Sequence, residues 1–347
     1  MRTPQLADNL RRAVLQAAIE GKLNDRTNEN ARDLLAAIQA EKTALQKTGK
    51  LKKNKPLVAI KEAEIPFAIP ENWVWVRLGD IFNISRGGSP RPIQQFLTDD
   101  ENGINWIKIG DTDIGGKYIR QTKEKIIRDG MNKSRFIKAD SLLLTNSMSY
   151  GRPYILKTDG CIHDGWLSLE PLNENIDREY AFYVISSHTV QSQFHQTVAG
   201  AVVKNLNSDK VKETLIPLPP LTEQQQIVAK LNQLLSEIDN LKTQEQALLA
   251  AQNAFPKKLR AALLQAAVQG ELNERTNENA RDLLAAIQAE KTALQKAGKL
   301  KKDKPLAAIS EEEIPFAIPE NWVRLGEIIF LKSGQDLTPS EYSSIPE

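Results

Sequence analysis

The densest grouping of reactive side chains lies around the single cysteine. Cys161, His163 and Asp164 fall within four residues, and a thiol, an imidazole and a carboxylate could serve as nucleophile, base and orienting group. Adjacent side chains usually point apart, so the cluster reads as structural rather than catalytic. The segment Gly110-Asp111-Thr112-Asp113-Ile114-Gly115-Gly116-Lys117 resembles a phosphate loop, but Asp111 stands where glycine is required and Tyr118 replaces the metal-binding hydroxyl. No Gly-x-Ser-x-Gly elbow, His-Glu-x-x-His pair or Rossmann fingerprint occurs. The only double proline, Pro219-Pro220, follows leucine, so the adenine-methylation motif Asn-Pro-Pro-Tyr or Asp-Pro-Pro-Tyr is missing. With histidines only at 163, 188 and 195 and one cysteine, no metal site is expected. The sequence points to recognition rather than catalysis.

Charge gives recognition a location. Eight cations, Lys117, Arg120, Lys123, Lys125, Arg128, Lys133, Arg135 and Lys138, stand against Glu124 and Asp129 alone. Such a patch can neutralise phosphates without demanding geometry, although a solvated face or linker has the same composition. A second run, Lys47 to Lys55, holds five lysines and no acid. Bulk charge is silent, because 46 Lys and Arg oppose 44 Asp and Glu for a net of +2. At 347 residues, 41% hydrophobic and 26% charged, the chain has room for two domains and part of a third, and reads as neither disordered nor fibrous. No apolar run is long enough to span a membrane, and the N-terminus lacks a signal-peptide core, so a cytoplasmic location is expected.

The elements that must position these residues are framed by an internal repeat. Arg11 to Val74 aligns without gaps to Arg260 to Val323 with 53 of 64 positions identical, and Thr27 to Lys47 is repeated unchanged as Thr276 to Lys296. A period of 249 residues is too long for a solenoid and marks a whole module begun a second time. Apolar spacing predicts a helix over Thr3 to Glu20, stopped by Gly21, and a second running to Lys47, stopped by Gly49. The proline-bounded stretch Glu64 to Pro70 reads as a linker. Short β-branched and aromatic runs then predict strands at Val74 to Val76, Ile104 to Ile109, Arg135 to Ile137, Ser141 to Leu144, Pro153 to Leu156 and Trp166 to Leu169, with a helix over Glu179 to Phe194. Loops are expected at Ser85 to Pro92 and Asn146 to Gly151.

After Pro219-Pro220, Thr222 is expected to cap a helix of more than 30 residues that Pro256 kinks or divides. Its seam is Ile227, Leu231, Leu234, Ile238, Leu241, Leu248, Phe255 and Leu259, a heptad pattern suited to helix pairing. The expected fold class is therefore α+β, a mixed α/β domain attached to long coiled-coil-like helices. The expected divisions are a helical segment 1–64, a recognition domain 65–220, a helical spacer 221–313 containing the repeat of 11–64, and the start of a second, truncated recognition domain 314–347.

Three motifs in this order resemble those of specificity subunits of type I restriction-modification systems. They are the opening Ile69-Pro70-Glu71-Asn72-Trp73 with Arg77-Leu78-Gly79-Asp80 and Gly87-Gly88-Ser89-Pro90, the interior Trp106-Ile107-Lys108-Ile109-Gly110-Asp111, and the closing Leu215-Ile216-Pro217-Leu218-Pro219-Pro220-Leu221-Thr222-Glu223-Gln224-Gln225. The resemblance implies a non-catalytic subunit that binds double-stranded DNA and holds adenine methyltransferase and motor-nuclease subunits. S-adenosylmethionine, ATP and magnesium are then expected only on those partners, and no cofactor on this chain. With a single complete recognition domain, the chain resembles shortened half-subunits that form homodimers on interrupted palindromic sites. A stand-alone DNA-binding regulator and an inactive truncated product are the alternatives.

Base edges in the major groove call for Arg or Lys at guanine and Asn or Gln at adenine. Candidates on the predicted loops are Arg86, Arg91, Gln94 and Gln95; Asn146, Ser147, Tyr150 and Arg152; and Lys204, Asn205 and Asn207 before the closing strand. The eight cations from Lys117 to Lys138 are the candidates for phosphate.

Overall fold

The computed structural model describes residues 6–52, 56–113, 115–147, 149–198, 205–272, 274, 280–302, 304–314, 316 and 323–329. Two compact units divide the chain, Met1–Ala247 and Leu248–Glu347. The first opens with α1 (Leu6–Ile19) and α2 (Ala31–Lys47), which end at Gly21 and Gly49 in left-handed conformations of φ 70° and 72°. Asn30 caps α2 by accepting from the Arg32 amide at 2.9 Å. Thr3, expected at the head of α1, lies outside the described residues.

Beyond α2 the chain runs β1 (Val74–Arg77), α3 (Leu78–Ile81), β2 (Phe82–Arg86), β3 (Leu97–Thr98), β4 (Ile104–Ile107), β5 (Tyr118–Ile119) and β6 (Glu124–Ile126). There follow α4 (Arg128–Met131), β7 (Arg135–Ile137), β8 (Leu142–Thr145), β9 (Pro153–Leu156), β10 (Gly160–Ile162) and β11 (Trp166–Pro171). The elements α5 (Arg178–Ser186), α6 (His188–Val198), α7 (Ser208–Glu213), β12 (Leu215–Leu218) and α8 (Leu221–Val268) come next.

Two five-stranded sheets form the recognition domain, one ordered β3-β6-β4-β10-β7 and the other β2-β11-β8-β9-β5. The pleat explains how they stack, because successive side chains leave a strand on opposite faces. In β8, Leu143 enters the core shared with Ile107, Ile137 and Ile162 of the first sheet, while Leu142 and Leu144 enter the core shared with the helices. In β9, Tyr154 and Leu156 face the first core and Ile155 the second. Strands β8 and β9 of the second sheet are thus buried on both faces and read as nearly continuous apolar runs. A separate ribbon closes the domain, with Trp75 of β1 opposite Pro217 of β12.

Helices α1 and α8 pack antiparallel within one chain. The Ala7 amide reaches Glu245, Asp8 pairs with Lys242, and Arg11 pairs with Asp239, so positions rise on one helix as they fall on the other. Ile227, Leu231, Leu235 and Ile238 of α8 are buried in the same core as Leu15, Ala18 and Ile19.

Several sequence expectations shift. The helix expected over Glu179 to Phe194 is two helices, because Ser187 leaves helical geometry and its hydroxyl accepts from the Val190 amide at 3.4 Å. Thr222 is not the cap of α8, which begins at Leu221; its hydroxyl donates to Glu29 at 2.9 Å. Pro256 lies inside α8 without dividing it. The strand expected to reach Ile109 stops at Ile107, where Asp111 accepts from the Lys108 amide at 2.8 Å and closes a tight turn. Strands β2, β3, β5, β6 and β10 were not anticipated.

In the second unit, α9 (Ala280–Lys296) and α10 (Leu325–Ile328) repeat the local clasps of the first. Lys291 donates to the Gly326 carbonyl at 3.1 Å as Lys42 does to Gly79 at 2.8 Å. Arg324 pairs with Glu313 at 2.9 Å as Arg77 does with Glu64 at 3.0 Å. Among the described residues, no helix is long and apolar enough to cross a membrane.

Candidate nucleic-acid interface

Asp164 gathers the loops that the sequence nominated. It sits in the turn between β10 and β11, and its carboxylate accepts from the Ser89 hydroxyl at 2.8 Å and faces the Arg91 guanidinium at 3.3 Å. Its backbone carbonyl accepts from Arg86 Nε at 2.9 Å and from Asn146 Nδ2 at 3.0 Å. The glycine-rich loop after β2 and the loop after β8 therefore meet at one residue. A third segment joins them, since the Leu206 amide donates to the Asn146 carbonyl at 2.8 Å.

The glycines explain the close approach. Gly87 and Gly88 donate their amides to Trp166 O at 2.9 Å and Ile162 O at 3.1 Å, and a Cβ on Gly87 would land on the His163 carbonyl. Gly88 also passes against the backbone of Lys133 and Ser134. That contact brings part of the basic cluster to the same place: Arg135 Nε donates to the Arg86 carbonyl at 2.9 Å, and Lys133 lies 4.6 Å from the centre of the Phe96 ring. Arg86, Arg91, Lys133 and Arg135 are all exposed.

The electrostatics follow from this crowding. Burial pushes the Asp164 carboxyl up, but the Ser89 hydroxyl and the charges of His163, Arg86 and Arg91 outweigh it and hold the group below its usual range. Burial lowers the affinity of His163 for a proton, with Lys108, Arg86 and Arg91 adding to the effect against Asp164. The site thus keeps one anion among several cations near neutral pH. His163 and Asp164, expected to point apart, meet at 3.0 Å. Cys161 is fully buried in the core with Trp106 and Ile126, and burial raises its thiol above the usual range.

The remaining candidates are scattered. Gln94 and Gln95 are exposed on a 3₁₀ turn, Ile93–Gln95. Asn146 is buried at 4% exposure with its amide committed to Asp164, and Ser147 is half-buried. The Tyr150 hydroxyl meets His195 Nδ1 at 2.9 Å, whereas Arg152 is exposed. Asn207 caps α7 by accepting from the Lys210 amide at 2.9 Å, Asn205 is exposed, and Lys204 lies outside the described residues.

Among the phosphate candidates, Lys117 stands apart. Only 17% exposed, it pairs with Glu179 at 2.8 Å and lies 4.4 Å from the centre of the Tyr183 ring, tying β5 to α5. Arg120 is exposed over Tyr118, Lys123 donates to Gly110 O at 3.0 Å, Lys125 donates to Glu101 O at 2.8 Å, and Arg128 and Lys138 are exposed. A run contiguous in sequence is thus spread over both sheets, with β6 and β7 separated by two strands.

The pairing candidates divide along α8. Ile227, Leu231 and Ile238 are buried, Leu234 and Leu241 are half-buried, and Leu248, Phe255 and Leu259 are exposed. The buried stripe runs through Leu235, which the heptad reading passed over, because this part of the helix packs on a globular core rather than on one partner helix.

Sequence reasoning also missed the role of Arg77, whose 6%-exposed guanidinium donates to Val58 O at 2.8 Å and Glu213 O at 2.7 Å and anchors the domain opening. It missed Asp164 as well, although the Asp-Gly pair signals a turn.

The family profile described as the type I restriction modification DNA specificity domain matches residues 70–250, just over half of the chain. The chain is 31% identical to the type I restriction enzyme EcoEI specificity subunit of Escherichia coli over 92% of its length and 61% of that protein. It is 30% identical to the EcoAI specificity subunit of the same organism, over 97% of this chain and 64% of the relative. It therefore spans less than two thirds of the length of these two relatives. A crystal structure of the HsdS subunit from Thermoanaerobacter tengcongensis aligns with a TM-score of 0.41 at 20% identity, covering 76% of this chain and 56% of that one. With the profile spanning both sheets, the closing ribbon and the start of α8, this chain belongs to the type I restriction-modification DNA specificity family.

Proposed function

We propose that the chain reads double-stranded DNA for a type I restriction-modification complex, directing adenine methylation and cleavage carried out by partner subunits. The observation that supports this most is the convergence of two nominated loops on Asp164, with four exposed cations beside it. Arginine offers a planar fork that matches guanine O6 and N7, and Arg86 and Arg91 would read base edges with Gln94 and Gln95, while Asn146 holds the loops together. Lys123, Lys125, Arg128 and Lys133 would contact phosphates, where position rather than sequence is read. S-adenosylmethionine, ATP and magnesium would act on the methyltransferase and motor-nuclease subunits held by the helices. As a half-subunit, the chain would form a two-fold dimer, and such a dimer reads an inverted repeat interrupted by unread bases.

Mapping N6-methyladenine in cells that express this chain with its methyltransferase partner tests the reading. Replacing Trp73 to Pro217 with the corresponding block of a relative should change the methylated sequence and leave assembly intact. An unchanged motif would place sequence reading outside this domain, and tight specific binding by the chain alone, without methylation, would favour a stand-alone regulator.

A further inference from the structure

The turn between β10 and β11 is held by a ring that can serve it in one form only. The Gly165 amide donates to His163 Nδ1 at 2.9 Å, so that nitrogen carries a lone pair and the ring's one N–H is at Nε2. Nε2 in turn lies 3.0 Å from Asp164 Oδ1, where an N–H is attracted and a lone pair would be repelled. Both neighbours therefore select the same neutral tautomer. The fit is close, since a Cβ on Gly165 would stand 2.8 Å from Nδ1. Trp106 flanks the ring in an edge contact, with 6.1 Å between centres.

The same turn ties the two loops together. Asp164 O accepts from Arg86 and Asn146, Gly165 O accepts from the Asn146 amide at 2.9 Å, and Gly87 passes against the His163 carbonyl. A proton on Nδ1 would set a second N–H opposite that of Gly165, and two donors cannot share one contact. The ring must then turn away, leaving the buried Gly165 amide without a partner. A displacement of this turn reaches both loops through bonds already named.

We propose that His163 is a positioning residue for DNA reading: as the Nε2–H tautomer it holds the turn that sets the two loops, and on gaining a proton it releases them. His163 has this role only if the chain reads DNA as proposed above. The charges facing the ring are Asp164 in its own turn, Lys108 beyond β4, Arg86 at the end of β2 and Arg91 in the glycine-rich loop. Arg135 of β7 stands opposite Ile162, and Lys108 pairs with Glu124 while its amide donates to Asp111. Burial, helped by Lys108, Arg86 and Arg91, outweighs Asp164 and holds the imidazole below its usual 6.5, so the turn is intact at neutral pH and opens in acid. Asp164 is itself held below the usual 3.8 and keeps its charge through that range. An extra cation acting by charge alone would tighten binding to any DNA. Release of the loops has the opposite sign, a loss of discrimination.

Binding by the chain with its methyltransferase partner tests this between about pH 8 and about pH 5, using the target defined by the N6-methyladenine map and a random duplex of equal length. Preference for the target should fall about ten-fold in acid, the worth of one hydrogen bond whose donor is left unpaired, while affinity for the random duplex holds or rises. His163→Asn offers an oxygen that can accept from the amide two residues on, and it cannot gain a proton. Lacking the N–H beside Asp164, it should discriminate less than the parent at pH 8, better than His163→Ala, and equally at both pH values. Nitrogen-15 NMR of the full chain labelled at histidine should show, at neutral pH, a ring protonated at Nε2 alone whose signal is absent from His163→Asn. A parent preference for the target that persists at pH 5 would overturn the proposal, as would a His163 ring protonated at Nδ1 at neutral pH. So would acid sensitivity retained in His163→Asn, which would move the effect to another histidine such as His195 beside Tyr150. No preference at pH 8 would overturn DNA reading as well, so the two failures are told apart. The parent pH series needs no substitution and decides the matter even if neither variant folds.

Discussion

Trp73 donates its indole N–H to Glu223 at 2.7 Å, joining the residue that opens the recognition domain to the helix that leaves it, 150 positions later. Asn72 adds a second bond to the same carboxylate at 2.6 Å. The opening and closing sequence motifs are therefore two halves of one contact. It fixes where the domain sits on α8, and that fixes which way the Asp164 loops face relative to the helix.

Glu223→Gln should lower stability by about 3 kcal/mol at neutral pH, because a buried anion with several donors loses its charge while the donors stay. Burial pushes this carboxyl up, but the Thr27 amide and the Trp73, Asn72 and Asn24 side chains outweigh that and hold it below its usual value of 4.5. A lowered native value means that the stabilisation is present above pH 4.5 and disappears as pH falls through the native value. Thermal melts of the two proteins should therefore converge in acid. A gap that persists at pH 2 would show that shape, rather than charge, is what the substitution removes.

Much of this arrangement was legible beforehand, and the failures have physical causes. Arg135 to Ile137 and Pro153 to Leu156 were recovered to the residue because aromatic and β-branched runs bounded by turn residues leave little ambiguity. Gly160 to Ile162 was missed because three residues buried on both faces carry no alternation. The loops after β2 and β8 were named from composition, but nothing local to either could reveal that Asp164, far along the chain from the first, would join them. The cluster from Lys117 to Lys138 looked like one patch because sequence proximity is not proximity across a sheet, and β6 and β7 are separated by β4 and β10.

Gly87→Ala should impair DNA binding without removing any group that contacts DNA. Its new Cβ meets the His163 carbonyl, so the loop must leave the Trp166 and Ile162 carbonyls it is bonded to. Overpacking of this kind costs about 1–3 kcal/mol. Circular dichroism should show a folded chain, while protection of the Gly88 amide in hydrogen exchange falls. Normal protection with normal binding would mean that the loop tolerates the displacement.

Arg86→Ala and Arg91→Ala should each reduce discrimination between the methylated target and single-base variants by about 1–3 kcal/mol, the worth of a bidentate arginine–guanine pair. The Arg86 side chain also braces the Asp164 carbonyl through Nε, so Arg86→Lys separates the roles: lysine preserves charge but not the fork. Discrimination that survives in Arg86→Lys as in the parent would assign Arg86 to phosphate rather than to a base.

Salt dependence should separate Lys117 from its neighbours in sequence. Each phosphate neutralised by a protein releases counterions, so removing one such contact flattens the plot of log affinity against log salt by about 0.9. Lys123→Ala, Lys125→Ala, Arg128→Ala and Lys133→Ala should approach that change singly and add when combined, with binding to random DNA falling in parallel. Lys117 is already paired with Glu179 and bonded to the Tyr183 hydroxyl at 3.0 Å, and those partners outweigh burial to hold its ammonium above the usual range. Lys117→Met should therefore leave the slope unchanged and lower the melting temperature instead, since Glu179 loses its cation at the junction of β5, α5 and α8. Equal flattening by Lys117→Met and Lys123→Ala would show that Lys117 leaves Glu179 when DNA binds, and that the whole run from 117 to 138 acts as one phosphate surface after all.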